Sequence, residues 1–192
     1  MTRFWWVRHG PTHAKGMVGW TDLPADLSDT AALGRLDALL PAEAVVISSD
    51  LARARATADA IAGDRPRLAD DPALREINFG RWELRRFAEV EAEDADLIRA
   101  FYERPGRVRA PGGECWDETC ARVSAAVDRL AAAHEGRDVV VVAHFGAILT
   151  QIQRALGVTA YEAFSHRIDN LSVTELAAEN GVWRAGRINH IP

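Results

Sequence analysis

The run Val139-Val140-Val141-Val142-Ala143 constrains the fold of this chain more than any other segment. Five consecutive small or β-branched apolar residues predict a strand buried on both faces, which is typical of the middle of a parallel sheet. A second apolar run, Phe4 to Val7, predicts another strand near the start of the chain. Each run ends close to a histidine and a glycine, with His144 after the first and His9 after the second. Because ligands bind at the carboxyl edge of open α/β sheets, we expect the two imidazoles to meet there.

Further apolar patterns predict an alternation of strands and helices. We expect strands near 3–8, 44–48, 138–143, 170–176 and 182–188, and helices near 28–40, 50–62, 117–135 and 146–156. This order predicts an α/β fold, a three-layer α/β/α sandwich with a mostly parallel central sheet. Residues 76–112 interrupt the alternation and are predicted to form a helical lid insertion within a single domain, 1–192. Ser49 or Asp50 is expected to cap the helix that begins near residue 50.

Arginines accompany two of these predicted elements. Arg8 directly precedes His9, and Arg53 lies in the first turn of the helix predicted over 50–62. A planar guanidinium donates to phosphate oxygens, and an imidazole nitrogen can attack phosphorus. Each feature alone has a structural alternative, because a histidine bonded within the protein and a solvated helix arginine are both common. Together they predict a phosphate site at the edge of the sheet.

Five blocks of residues occur in an order that is typical of one protein family. They are Arg8-His9-Gly10-x-Thr12, Ser48-Ser49-x-Leu51-x-Arg53-Ala54-x-x-Thr57, Leu74-x-Glu76-x-x-Phe79-Gly80-x-Trp82-Glu83, Pro111-Gly112-Gly113-Glu114 and Ala143-His144-x-Gly146. The chain therefore resembles the histidine phosphatase superfamily, the clan of cofactor-dependent phosphoglycerate mutase. The resemblance covers nearly the whole chain and implies a covalent phosphohistidine mechanism, an arrangement that requires no metal or other cofactor.

The resemblance also implies a role for each site residue. His9 would be the nucleophile and Glu76 the proton donor, with Glu83 as the next candidate for the acid. Nearby guanidinium groups are expected to lower the pKa of His9, and a bound phosphate dianion would raise the pKa of Glu76. His144, if protonated, would add a positive donor. The implied phosphate pocket consists of Arg8, Arg53, Thr12 and His144.

The chain departs from the family pattern at positions where substrate specificity is expected to be set. Phe145 stands where family members usually have a glycine, so a bulky ring is expected to close one side of the pocket. Lys15 aligns with an asparagine that is often found there. Trp20 and Trp82 adjoin the motif blocks and are candidates for a substrate wall. The predicted substrate rim therefore comprises Lys15, Trp20, Trp82 and Phe145.

Composition favours a small anionic substrate over a polymer. The 192 residues are 48% hydrophobic and 27% charged, with a net charge of −5, which is ordinary for a globular protein but argues against a nucleic-acid or membrane partner. The first predicted strand begins at once and no apolar stretch approaches 18 residues, so we expect a cytoplasmic protein. We expect a monomer or homodimer. A metal site built from His9 and His144 is an alternative, but two arginines would repel a cation.

Several functions remain compatible with these residues. We favour a phosphomonoesterase that forms and hydrolyses a phosphohistidine on His9. A phosphoglycerate mutase is the first alternative, although the mutases of this clan are longer, with larger insertions that enclose the substrate. A broad-specificity sugar-phosphate phosphatase and a catalytically idle binding module are further alternatives. The block from Glu76 to Glu83 looks most like α-ribazole-5′-phosphate phosphatases, which makes that ester a candidate substrate.

Overall fold

A five-stranded sheet with the order β2-β3-β1-β4-β5 forms the centre of the computed structural model, which describes residues 1–192. The central strand β1 is parallel to β3, and β3 is parallel to β2, whereas β4 is antiparallel to β1 and β5 to β4. The predicted parallel arrangement is thus confirmed at the centre, and the sheet as a whole is mixed. The strands are β1 (Thr2–Arg8), β2 (Val45–Ser48), β3 (Asp138–Ala143), β4 (Val173–Glu179) and β5 (Val182–Ala185).

Helices cover both faces of the sheet and complete the predicted α/β/α sandwich. Val139 and Val141 pack on the face covered by α5 and α6, and Val140 and Val142 pack on the face covered by α1 and α2. All four side chains are fully buried, which confirms the strand expected to be buried on both faces. The helices are α1 (Thr30–Leu39), α2 (Ala52–Ala62), α3 (Phe87–Glu91), α4 (Ala95–Glu103), α5 (Trp116–Ala133), α6 (Phe145–Leu156) and α7 (Ala160–Ala163).

The last two strands differ from their predicted bounds. Strand β4 begins three residues later than expected because Ser172 donates its N–H to the carbonyl of Asp169 in a turn, with Leu171 at a φ of 59°. Strand β5 ends at Ala185 because the ladder is then interrupted by a bulge. There the N–H of Gly186 donates to the carbonyl of Glu175, and the N–H of Glu175 donates to the carbonyl of Arg187.

The predicted cap of α2 is wrong. Asp50 forms an ion pair with Arg75, whose Nε lies 2.6 Å from Oδ1, and the Ser49 hydroxyl lies 2.6 Å from Nε2 of His144. The N–H of Ala52 instead donates to Oδ1 of Asp22 at 2.6 Å. A carboxylate thirty residues upstream therefore caps the helix, so the loop before α1 is joined directly to α2.

The segment between residues 76 and 112 contains a 3₁₀ turn (Gly80–Trp82) followed by α3 and α4. Its buried side chains Val90, Ile98 and Phe101 belong to the same core cluster as those of α5 and α6. The segment therefore packs on the α5 and α6 side of the sheet, next to the ends of β1 and β3.

Candidate active site

His9 follows β1 at the carboxyl edge of the sheet, and only 7% of its surface is exposed. Its Nδ1 lies 2.7 Å from the carbonyl oxygen of Gly10, and its Nε2 lies 3.2 Å from Nε of Arg53. A carbonyl can only accept and a guanidinium can only donate, so Nδ1 carries the proton and Nε2 presents a lone pair. Burial, followed by the charge of Arg53, lowers the pKa of His9 to about 3, and the ring is therefore neutral near pH 7.

The backbone around His9 is held from two sides. The N–H of Gly10 donates to Oγ1 of Thr57 at 2.9 Å, and the Thr57 hydroxyl donates to the carbonyl of Arg53 at 2.7 Å. Asn170 donates from Nδ2 to the carbonyl of His9 at 2.7 Å. Sequence reasoning assigned neither Thr57 nor Asn170 a role, although Thr57 lies in one of the five motif blocks.

Arg53 is brought to His9 by the first turn of α2, as the sequence predicted. The whole residue is buried, and burial lowers the pKa of its guanidinium. Its Nη2 donates to the carbonyl of Gly19 at 2.6 Å, and its Nη1 donates to the carbonyl of Thr21 at 2.9 Å. Arg53 is therefore fixed by a loop that lies more than thirty residues away in sequence.

Glu83 holds that loop in place. Its carboxylate accepts the N–H groups of Gly19 at 3.0 Å, Trp20 at 2.8 Å and Thr21 at 3.2 Å, and also the Thr21 hydroxyl at 2.8 Å. A fifth hydrogen bond comes from the N–H of Phe79 at 3.1 Å. A carboxylate offers about four lone-pair sites, so these five hydrogen bonds leave Glu83 no free acceptor. The structure gives Glu83 a positioning role that sequence reasoning missed, instead of the reserve acid it suggested.

His144 follows β3, and its ring centroid lies 5.0 Å from that of His9. The side chain is fully buried, and burial together with His9 and Arg53 lowers its pKa well below the usual value, so the ring is neutral. Its Nε2 lies 2.6 Å from Oγ of Ser49, and its Nδ1 has no partner. A serine hydroxyl can donate to Nε2, and in the tautomer that accepts this bond Nδ1 carries the proton and is a donor without the positive charge considered from the sequence.

Arg8 lies at the end of β1 and is half-buried. Its Nη1 donates to the carbonyl of Ile168 at 2.6 Å, while its buried Nε has no partner. The guanidinium lies over the ring of Phe145, 5.6 Å from the ring centroid. The phenylalanine that replaces the family glycine therefore covers one side of Arg8, as a cation–π partner.

Glu76 is buried, and burial raises the pKa of its carboxyl above the usual value. Its Oε2 accepts the N–H of Gly146 at 3.0 Å, and its Oε1 accepts the N–H of Ile77 at 2.9 Å. A Cβ on Gly146 would lie 2.3 Å from Oε1, so only glycine lets the start of α6 approach the carboxyl this closely. This contact explains why Gly146 is kept even though Phe145 replaces its neighbour.

The residues predicted for the rim separate into different environments. Lys15 is exposed, and Thr12, which was predicted for the phosphate pocket and not for the rim, is half-buried. Trp20 is 36% exposed, donates from Nε1 to the carbonyl of Glu76 at 2.8 Å and stacks on Arg75. Trp82 is only 3% exposed and belongs to the hydrophobic core, so the structure places it in the packing of the lid instead of on a substrate wall.

A small cavity of about 90 Å³ opens beside Glu76, and we call it the aromatic pocket. Glu76, Ile77 and Gly146 form one part of its wall. The sequence motifs already contained Glu76, Phe79 and Gly146, and Phe145 was predicted at the rim; Phe101, Tyr102, Trp116 and Phe164 were missed because they lie in three separate segments with no common motif. The remaining wall consists of the rings of Phe79, Phe101, Tyr102, Trp116, Phe145 and Phe164.

The structure contains neither a cluster of metal-binding side chains nor a helix that could span a membrane. No group of three or more His, Cys, Asp or Glu side chains is arranged to hold a metal ion. None of the helices combines the length and the apolar character needed to cross a bilayer.

Proteins whose names describe phosphatases or mutases resemble this chain in sequence and in fold. The chain is 30% identical to the "Probable phosphoglycerate mutase GpmB" of Proteus mirabilis, over 96% of this chain and 89% of that protein. It is 28% identical to the adenosylcobalamin/alpha-ribazole phosphatase of Escherichia coli, over 97% and 90% of the two chains. The solved structure of Bacillus stearothermophilus YhfR superposes with a TM-score of 0.89 at 26% identity, covering 100% of this chain and 98% of the other. A model of the histidine phosphatase superfamily (branch 1) matches residues 4–191, and the chain belongs to that superfamily.

Proposed function

We propose that this protein is a phosphomonoesterase that transfers the phosphoryl group of a small metabolite to Nε2 of His9 and then to water. The observation that carries the proposal is the state of the His9 ring. Nδ1 carries the proton, Nε2 presents its lone pair, and burial beside Arg53 keeps the ring neutral. A buried neutral imidazole with a fixed tautomer is a nucleophile ready to attack phosphorus.

Two buried donors without partners support a phosphate site next to this nucleophile. Nε of Arg8 and Nδ1 of His144 are both buried and unpaired in the protein. A buried polar group without a hydrogen bond costs about 1–3 kcal/mol, so an oxygen acceptor that binds there recovers that energy. Phosphate supplies several such oxygens, and its negative charge is matched by Arg8 and Arg53.

The reaction then proceeds in two steps. When phosphate binds, Nε–H of Arg53 exchanges His9 for a phosphate oxygen, which frees the lone pair on Nε2. The P–N bond forms as the P–O bond of the ester breaks, and the protonated carboxyl of Glu76 gives its proton to the leaving oxygen. In the second step Glu76 takes a proton from water, the water oxygen bonds to phosphorus, and the P–N bond breaks. Arg8 and Arg53 stabilise the charge on the transferring group in both steps.

The surroundings of Glu76 favour hydrolysis of an ester whose leaving group is uncharged over a mutase reaction. No lysine, arginine or histidine lines the aromatic pocket, whereas phosphoglycerate carries a carboxylate that needs a cation beside it. The leaving group of α-ribazole-5′-phosphate carries no negative charge and bears an aromatic base. We therefore place α-ribazole-5′-phosphate before 3-phosphoglycerate and before sugar phosphates as the substrate.

The test is a phosphoenzyme experiment with His9→Ala, and His134→Ala serves as the matched histidine control. Wild type mixed briefly with a ³²P-labelled ester should give an acid-labile, base-stable phosphoprotein. The His9→Ala variant should lose the label and on the order of 10³-fold or more in kcat/KM, while His134→Ala retains both. Normal turnover by His9→Ala would refute the mechanism. A panel of α-ribazole-5′-phosphate, 3-phosphoglycerate and a sugar phosphate then ranks the substrates by kcat/KM.

A further inference from the structure

The aromatic pocket adjoins both halves of the reaction site. Glu76 is part of its wall, and so is Phe145, whose ring also lies against the guanidinium of Arg8. The wall thus joins the proposed proton donor to a residue that contacts a proposed phosphate-binding arginine. This arrangement puts the pocket beside the place expected for the leaving group.

The pocket offers very little to a polar ligand. Trp116 donates from Nε1 to Oε1 of Gln153 at 2.7 Å, and the hydroxyl of Tyr102 donates to Sδ of Met17 at 3.4 Å. Each carboxyl oxygen of Glu76 accepts one backbone N–H group, and the remaining capacity of the carboxyl is needed for its proposed contact with the ester oxygen. Hydroxyl groups or a carboxylate entering this space would lose water and find few partners, and each hydroxyl left unpaired costs about 1–3 kcal/mol.

The rings of the pocket pack against one another, so that the cavity exists before any ligand enters. The ring of Trp116 meets that of Phe164 edge-on with centroids 4.6 Å apart, and Phe101 meets Tyr102 in the same way at 5.1 Å. A dry cavity of about 150 Å³ is known to hold benzene, so about 90 Å³ opening into the active site accepts part of a ring or a short hydrocarbon.

We propose that the aromatic pocket binds the leaving group, and that it selects phosphomonoesters whose leaving group is uncharged and carries a ring or hydrocarbon that enters the pocket while any hydroxyl groups stay outside it. This inference rests on the proposed function. Phe145 is the specificity-determining residue, because it lines the pocket and also pairs with a proposed phosphate-binding arginine. A glycine at position 145 would leave that wall open to solvent.

The inference is tested with three esters of primary alcohols, so that the chemical reactivity of the leaving groups is similar. They are 2-phenylethyl phosphate, glycerol 1-phosphate and 3-phosphoglycerate. Wild type should show a kcat/KM for 2-phenylethyl phosphate at least about tenfold above the other two, since burying apolar groups of this size discriminates by roughly 10–200-fold. Equal or higher values for glycerol 1-phosphate or 3-phosphoglycerate would overturn the inference.

Variants separate the pocket from the phosphate site. Phe145→Gly and Phe164→Ala should each lower the preference for 2-phenylethyl phosphate over glycerol 1-phosphate by about fivefold or more, because glycerol 1-phosphate carries no ring. Phe145→Gly also removes the cation–π partner of Arg8, so it could affect the phosphate site as well as the pocket. Phe164→Ala changes the pocket without removing that partner. Tyr161→Ala removes an exposed ring outside the pocket and should leave the preference unchanged. An unchanged preference in both pocket variants would overturn the inference.

The two proposals fail in different ways. If wild type hydrolyses none of the esters, including p-nitrophenyl phosphate, the proposed function itself is wrong. If it hydrolyses them through His9 without the ring preference, only the assignment of the aromatic pocket is wrong.

Discussion

The buried neutral state of His9 should make the protein lose stability in acid. Folding lowers the pKa of His9 from 6.5 to about 3, chiefly through burial. Between these two values the unfolded chain binds a proton at this residue that the folded chain does not bind. The stabilising effect of raising the pH is therefore complete above about pH 6.5 and is lost progressively as the pH falls towards 3.

The size of the effect follows from these two pKa values. At pH 4.5 the unfolded imidazole is about 99% protonated and the folded one about 3% protonated. With about 1.36 kcal/mol for each unit of pKa, His9 alone removes about 2.5 kcal/mol from the free energy of unfolding between pH 7 and pH 4.5. This is a substantial part of the roughly 5–15 kcal/mol by which a domain is stable.

The assay is urea unfolding of wild type and His9→Gln at pH 7 and pH 4.5. Wild type should lose about 2.5 kcal/mol more than the variant between the two pH values, because glutamine does not titrate. His134→Gln controls for the loss of an imidazole in itself, since His134 lies at the opposite edge of the sheet, where its carbonyl accepts from Thr2. Parallel pH profiles for wild type and His9→Gln would refute the burial argument.

Three further predictions concern the groups around the nucleophile. Glu76→Gln should lower kcat/KM for alkyl phosphates on the order of 10²-fold or more but hardly affect p-nitrophenyl phosphate, whose leaving group needs no proton; equal losses would assign the acid elsewhere. Gly146→Ala puts a Cβ 2.3 Å from Oε1 of Glu76 and should show the same substrate-dependent loss in the same assay. Gly34→Ala is the control for Gly146→Ala, because a Cβ at position 34 would have no other atom within 4 Å. It should stabilise α1 by roughly 0.5–1 kcal/mol without changing turnover. Glu83→Gln should loosen the loop that holds Arg53 and slow both substrate classes by roughly tenfold, and a loss of unfolding free energy with unchanged kcat/KM would contradict its positioning role.

The outline of the fold was predictable because the apolar patterns that specify it each lie within one short segment of the sequence. The buried run of β3 and the apolar run of β1 specify two central strands, and a histidine at the end of each predicts where the two rings meet. The ring centroids of His9 and His144 do lie 5.0 Å apart. Arg53 was predictable for the same reason, since the first turn of a helix after a parallel strand lies at the carboxyl edge of the sheet.

Contacts between distant segments were not predictable. Asp22 caps α2 from thirty residues upstream, and Glu83 holds the loop around residue 20 from more than sixty residues downstream. Neither contact has a spacing or a pattern in the sequence, because each depends on how whole segments pack. The same reason led to the wrong cap at Ser49 or Asp50 and to Trp82 being expected at the rim.

The sequence by itself determined which residues are available for chemistry, since residue type and motif order are written in the chain. Only the tertiary structure decided the protonation state of these residues. Burial sets the neutral forms of His9 and His144 and the raised pKa of Glu76, and burial is a property of the packed molecule. Packing also assembles rings from separate segments into the aromatic pocket beside Glu76. The residues proposed for catalysis are thus specified locally, whereas their protonation and the cavity beside Glu76 arise from long-range packing.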